Sequence, residues 1–95
     1  MKVATPRKIR DKHLTNIDQA LESAIVELLS RRTIGKTICP SEAARMVDPT
    51  RWEELMDRSR AAAQRLVAQG AIVITQQGKV VDPSTAKGPI RLRRM

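Results

Sequence analysis

Asp57-Arg-Ser-Arg-Ala-Ala-Ala-Gln-Arg-Leu-Val-Ala-Gln-Gly-Ala-Ile-Val-Ile-Thr-Gln-Gln-Gly-Lys-Val-Val-Asp82 holds two periodicities in succession. Placed at 100° intervals from Asp57 to Gln69, Ser59, Ala62, Ala63 and Leu66 share one helix face, with Val67 at its border. Asp57, Arg60, Ala61, Gln64 and Ala68 lie opposite, flanked by Arg58 and Arg65. The first set is expected against a core and the second is open to a partner. Gly70 stops the helix. Beyond it Ile72 and Ile74 alternate with Val73 and Thr75, the period of a strand. Ala71–Thr75 and Lys79–Asp82 then read as the arms of a hairpin, with Gln77-Gly78 at its turn. A long helix running into a hairpin, with helices before it, is the order of a winged helix-turn-helix. The expected fold class is therefore mainly α with a small β-hairpin.

The residues before this stretch read as support. Residues 1–14 carry Pro6 and dense charge with little periodicity, which predicts a flexible basic arm and places the folded domain at residues 15–95. Thr15 or Asn16 can cap a first helix, with Asp18 in its first turn. Ile17, Leu21, Ala24, Ile25 and Leu28 make its apolar stripe, with Leu29 at the edge. Leu28 and Leu66 are expected to be nearly fully buried at the centres of their stripes. After Gly35, Lys36-Thr-Ile-Cys39 is short enough for a small strand against the wing. With Cys39 as N-cap, Pro40 takes the first helical position and Glu42 the third, where its carboxylate can reach back to free backbone donors. Asp48-Pro49 ends this helix and can cap the next turn, in which Trp52, Leu55 and Met56 cluster. Asp57 can then cap the long helix. At the other end, Ile90 and Leu92 alternate with Arg91 and Arg93 after Gly88-Pro89. That segment suits either an added strand or a stretch lying along the domain with its arginines outward.

Composition narrows the function. Ninety-five residues make one domain at most, with an aliphatic core, since Trp52 is the only aromatic. The formal charge is +8 and it is unevenly placed. Lys2, Arg7, Lys8, Arg10 and Lys12 against Asp11 leave +4 in residues 1–15. Residues 16–47 and 48–69 each hold four acids and four bases. Lys79, Lys87, Arg91, Arg93 and Arg94 against Asp82 leave +4 in residues 70–95. Basic flanks on a neutral middle point to a polyanion touching the periphery; the plainer alternative is solubility alone. One cysteine, no secretory leader and no long apolar run suggest a cytoplasmic chain outside the membrane.

Little in the sequence carries chemistry. The four glycines are scattered, and Gly35-Lys36-Thr37 lacks the earlier glycine of a phosphate loop. His13 stands alone, so metal ligands are too few. Cys39 reads as a half-buried structural thiol, and Trp52 as a core anchor rather than a stacking platform. Neighbours Glu53 and Glu54 point apart on a helix. No enzyme activity and no cofactor are expected. Without Phe or Tyr the chain has no aromatic surface for single strands. Arg60, Gln64 and Arg65 are the sharper candidates, since arginine bonds guanine and glutamine bonds adenine bidentately. Ordinary solvated helix residues would look the same.

Several stretches together resemble a small bacterial family of uncharacterised proteins with a domain of unknown function. They are Arg32-Thr-Ile-Gly-Lys-Thr-Ile-Cys-Pro-Ser-Glu-Ala-Ala-Arg45, Trp52-Glu-Glu-Leu-Met56, Arg60-Ala-Ala-Ala63, Gly70 to Asp82, and Lys87-Gly-Pro-Ile-Arg-Leu-Arg93. The resemblance runs from about Ala20 to Arg93 and implies a winged-helix-like fold; it implies no activity and no binding residues. On the residues themselves, the expected function is binding of double-stranded DNA, as in a transcriptional regulator. Arg58, Arg60, Gln64 and Arg65 would lie on the presented helix, and Lys79, Arg91 and Arg93 would hold phosphates. The rival is a protein-interaction module on the same scaffold, motivated by the charge-balanced helices.

Overall fold

The computed structural model describes residues 15–95, so the arm expected over residues 1–14 lies outside the described residues. Helix α1 spans Asn16–Ser30 and is capped by Thr15, whose side chain accepts from the Asp18 amide while the Asp18 carboxylate accepts from the Thr15 amide. This reciprocal box satisfies two donors that a helix start leaves open. Strand β1 is Thr37–Ile38, and helix α2 is Pro40–Val47. As the sequence predicts, Pro40 takes the first position of α2 and Glu42 Oε2 accepts from the Cys39 amide at 2.9 Å. Asp48 Oδ1 then accepts from the amides of Thr50 and Arg51, both at 3.1 Å, and turns the chain into a 3-10 helix at Trp52–Leu55.

The long helix, α3, is Met56–Ala68 and begins one residue earlier than expected. Asp57 does not cap it and lies exposed in its first turn. The 3-10 turn runs straight into α3, and the Met56 amide already donates to the Glu53 carbonyl, so no side-chain cap is required there. The far end closes as the glycine predicts. Gly70 has φ +77°, its amide donates to Val67 O at 2.9 Å, and the Ala71 amide donates to Leu66 O at 3.0 Å. That pair of bonds needs a left-handed residue at position 70, which glycine adopts without a Cβ clash.

Strands β2 (Ile72–Gln76) and β3 (Lys79–Val81) form the hairpin. Gln77 at φ +53° and Gly78 at φ +81° make its two-residue turn, with both central residues left-handed, as the twist of a tight hairpin favours. The sheet is larger than a hairpin. Arg91–Arg94 forms β4, which pairs antiparallel with both β2 and β1 and gives the order β1-β4-β2-β3. The expectation that residues 36–39 pair with the wing is therefore corrected: the C-terminal strand sits between them. The alternation of Ile90 and Leu92 with arginines explains why. Leu92 stands opposite Ile38 on one side and Ile74 on the other, and all three are buried, so β4 supplies the apolar middle of the sheet.

The core lies between this sheet face and the three α-helices. Leu21, Ala24, Ile25 and Leu29 of α1, Ala43 and Ala44 of α2, and Ser59, Ala62, Ala63 and Leu66 of α3 are all buried. The expected inner face of α3 holds at every position. The phase of α1 needs two corrections. Ile17 is 40% exposed, and Leu28 is only half-buried while Leu29 is 2% exposed. A helical wheel gives the direction of a side chain but not whether a neighbour stands opposite at that height, and here the cover reaches Leu29 more fully than Leu28. Ser59 is buried within this apolar set and donates from Oγ to Pro40 O at 2.8 Å, which pins α3 to the start of α2. Trp52 packs on the edge of the core, with the Arg45 guanidinium 4.2 Å from its ring centroid. No helix among the described residues is long and apolar enough to cross a membrane.

Candidate nucleic-acid interface

The seven candidate residues fall into two groups that the fold treats differently. Arg58 and Arg65 stand two turns apart on α3 and both turn towards α1. Arg58 Nε donates to Asp18 Oδ1 at 2.9 Å, and its Nη2 bonds Thr15 Oγ1. Arg65 Nε pairs with the Glu22 carboxylate, and its Nη2 donates to Asp18 O at 3.3 Å. The two carboxylates are largely covered and Arg65 nearly as much, while Arg58 stays more than one-third exposed. The Arg58 guanidinium is the chief reason that the Asp18 carboxyl falls to about 2, with partial burial opposing it and the bonds from Thr15 assisting. The same residues that read as flanks of a presented face thus lock α3 onto α1.

Arg60 and Gln64 point the other way, towards the segment that joins β3 to β4. Arg60 Nη1 donates to Gly88 O at 3.3 Å and Gln64 Nε2 to Pro83 O at 3.4 Å. Gln64 is exposed and Arg60 half-buried, and with Ile74, Pro83, Ala86 and Ile90 they line a small crevice. The chain between β3 and β4 has to cross the end of β2, and it does so alongside this helix.

Lys79, Arg91 and Arg93 belong to the sheet. Because side chains alternate along a strand, Arg91 and Arg93 stand on the face opposite the buried Leu92. Their cross-strand partners are Thr75 for Arg91, and Val73 and Thr37 for Arg93. Arg91 is oriented by β1: its Nε donates to Thr37 Oγ1 at 2.9 Å and its Nη2 to Thr37 O at 3.3 Å. Lys79 is exposed on the edge strand. Two further cations lie nearby, Lys87 before Gly88 and Arg94 at the end of β4, the latter by alternation on the face of Leu92. Neither was singled out by sequence reasoning as a contact. The charge excess over residues 70–95 contains both, but a loop lysine has no periodicity to place it.

The ion pairs divide in the same way. Among the described residues, Arg31, Arg32, Arg51, Arg58 and Arg65 are paired with carboxylates, and all belong to the helices and the turns flanking them. No cation of the sheet or of the chain joining β3 to β4 is so paired. Asp82 is the one acid of residues 70–95. Its Oδ1 accepts from the Ser84 amide at 2.8 Å and from Ser84 Oγ at 2.7 Å, and these bonds hold its carboxyl below the usual range. Lys79, Lys87 and Arg91, with Gln76, Gln77, Val81 and Pro89, surround a cleft of about 620 Å³ at the end of the hairpin. What this surface offers chemically is hydrogen-bond donors and positive charge, the means to hold anions.

Residues 18–95 match the family described as "Protein of unknown function (DUF3253)". The chain belongs to this family. A search of curated proteins returned no match. The DUF3253 match covers all three helices but for the first two residues of α1, and the whole sheet, so both groups of candidate residues lie inside the family domain.

Proposed function

We propose that this DUF3253 domain is a winged-helix-like module that binds duplex DNA, chiefly through the phosphate backbone. The helix-then-hairpin order supports the winged-helix reading, as does the short strand between α1 and α2. The observation that carries the function is the uneven pairing of charge: five cations on the sheet and its adjoining segment have no carboxylate partner, while the helical arginines that flank α3 are engaged. A surface with unneutralised cations releases counter-ions when it meets a polyanion, which is the main sequence-independent term in DNA affinity. In this reading Lys79, Arg91 and Arg93, joined by Lys87, hold phosphates. Arg58 and Arg65 serve the fold. Arg60 and Gln64 reach base edges only by exchanging their bonds to Gly88 O and Pro83 O, so sequence preference is modest. In this reading the module is a binder without catalysis that works in the bacterial cytoplasm, where it would meet chromosomal DNA.

The test is fluorescence anisotropy of the full chain on random duplex over a salt series. The expected result is a linear fall of log K with log salt, and a slope reduced by about 0.9 when Arg93→Ala removes one phosphate contact. Absence of binding even at low salt overturns the proposal.

One observation favours the rival docking role. A groove of about 500 Å³ between α1 and α3 is lined by Val26, Leu66, Glu22 and Glu27, and Val26 is 49% exposed. That reading predicts duplex binding that disappears near physiological salt and on removal of residues 1–14.

A further inference from the structure

We infer that the cleft at the end of the hairpin is a site for a phosphomonoester, the terminal phosphate of a nucleotide or of a nucleic-acid strand. The nucleotide as the carrier rests on the nucleic-acid reading above; the phosphate chemistry rests on the cleft itself. One wall is the hairpin, with Gln77 at its turn and Lys79 after it; the other is the segment holding Lys87 and Pro89. The walls are fastened to each other. Gln76 Nε2 donates to Lys87 O at 2.6 Å and to Pro89 O at 3.1 Å, so the last residue of β2 fixes the backbone that carries Lys87. Arg91 borders the cleft where β4 begins, but its guanidinium is turned to Thr37 on β1, away from the hairpin, so the cations free to enter the cleft are Lys79 and Lys87. No carboxylate lines it, and Asp82 is turned to Ser84.

Two lysines around one concavity repel each other, and the concavity focuses their field. A backbone phosphodiester, with a single charge and two free oxygens, would leave that cluster under-neutralised. A phosphomonoester carries about −1.5 to −2 near neutral pH and three acceptor oxygens, which matches the cluster better. The ammoniums of Lys79 and Lys87, on flexible stems, can close on such a group. The volume of about 620 Å³ exceeds a bare phosphate and falls in the range of small-molecule sites. Val81 and Pro89 give the remainder of the lining an apolar part on which a sugar or base can rest.

The experiment compares the full chain on one blunt duplex carrying 5′-phosphate, 3′-phosphate or hydroxyl at its ends, near physiological salt. The expected result is binding about fivefold tighter for one of the phosphorylated ends, the scale of one or two added exposed charge contacts. Lys87→Ala should abolish that preference while lowering hydroxyl-ended binding by no more than the one lost phosphate contact does in Arg93→Ala. A preference that survives both Lys87→Ala and Lys79→Ala overturns the inference and leaves backbone binding standing. A parallel NMR titration with 5′-AMP and 3′-AMP, against adenosine, separates the sources. Shifts at Gln77, Lys79 and Lys87 with either mononucleotide and not with adenosine support the site even if no duplex binds. No shift with either mononucleotide, together with equal binding of all three ends, rejects it. Circular dichroism of each variant confirms that the comparison is made on folded protein.

Discussion

Residues 16–69, with the helices, carry eight cations and residues 70–95, with most of the sheet, carry five, and the two sets are used in opposite ways. In the helical layer, arginines meet carboxylates across elements: Arg58 with Asp18, Arg65 with Glu22, Arg32 with Glu42. Arg45 lies over Trp52 instead. In the sheet layer, Lys79, Lys87, Arg91, Arg93 and Arg94 have no ion pair, and the one acid nearby is satisfied by a serine. The first layer uses charge to fix helices to one another. The second leaves charge facing outward. The lesson concerns the long helix, which looked on the wheel like a presented face. A helix face opposite a core is available to a partner only if no other element reaches it, and here α1 takes one flank and the β3–β4 connection takes the other.

Substitutions that should separate the layers can be ranked by effect. The largest belongs to the helical core. Leu66→Ala removes a side chain that is 4% exposed and should cost about 2–5 kcal/mol, a large share of a small domain's stability. Leu28→Ala, half-buried, should cost less than half as much. Equal costs in urea melts would show that cover over α1 is more even than the structure has it. Next comes the sheet. The pair Arg91→Ala and Arg93→Ala should lower duplex affinity about tenfold or more at 0.1 M salt. Arg93 should contribute by charge alone, while losing Arg91 also removes its bonds to Thr37, so a fall in melting temperature should accompany only Arg91→Ala. A double variant with unchanged affinity would break the assignment of the sheet as the binding layer.

Arg65→Ala comes third and tests the other half of the contrast. It leaves Glu22 without its partner in a partly covered site, so it should destabilise by about 1–2 kcal/mol. Its duplex affinity, measured on folded protein, should fall no more than any single loss of charge away from the interface. Should Arg65→Ala weaken binding as strongly as Arg93→Ala while leaving stability untouched, the division between layers would be wrong and α3 would be the binding face after all.

Much of the architecture was legible because it depends on local rules. Thr15 with Asp18, Pro40 with Glu42, and Gly70 are start and stop signals whose partners lie within four residues, and each acts as read. The inner face of α3 follows from period alone. What the sequence left open was long-range. Nothing local says that β4 inserts between β1 and β2, because Arg-Leu-Arg alternation specifies a strand but not its neighbours. Nothing local says that Arg58 and Arg65 meet residues 40 and 43 positions earlier. The candidate site was accordingly read by residue type, and the fold then sorted those types into structural and outward-facing sets.

The smallest effect tests the helical layer through its pH response. Asp18 has its carboxyl lowered to about 2, mainly by the Arg58 guanidinium, against 3.8 in an unperturbed chain. A depressed folded-state value means that the unfolded chain binds a proton first as the pH falls. The stabilisation is therefore complete above about pH 4 and lost progressively as the pH drops towards 2. The shift alone would set an upper bound of about 2 kcal/mol, and Arg58 is more than one-third exposed, so solvent screening brings the expected contribution nearer 1 kcal/mol. Other carboxylates also titrate in this range, which makes the raw acid limb of a stability curve uninformative. The difference between wild type and Asp18→Asn isolates the group. At pH 7 the wild type should be more stable by about 1 kcal/mol, and the gap should close by about pH 2. Added salt should narrow the gap at pH 7, because the Arg58 end of the pair is open to solvent. In an Arg58→Ala background the same Asp18→Asn gap should be small at every pH, since its main cause is gone. A gap that keeps its full pH dependence in the Arg58→Ala background would mean that the Thr15 bonds, not Arg58, hold the carboxyl down, and that the tie between α1 and α3 rests on Arg65 and Glu22.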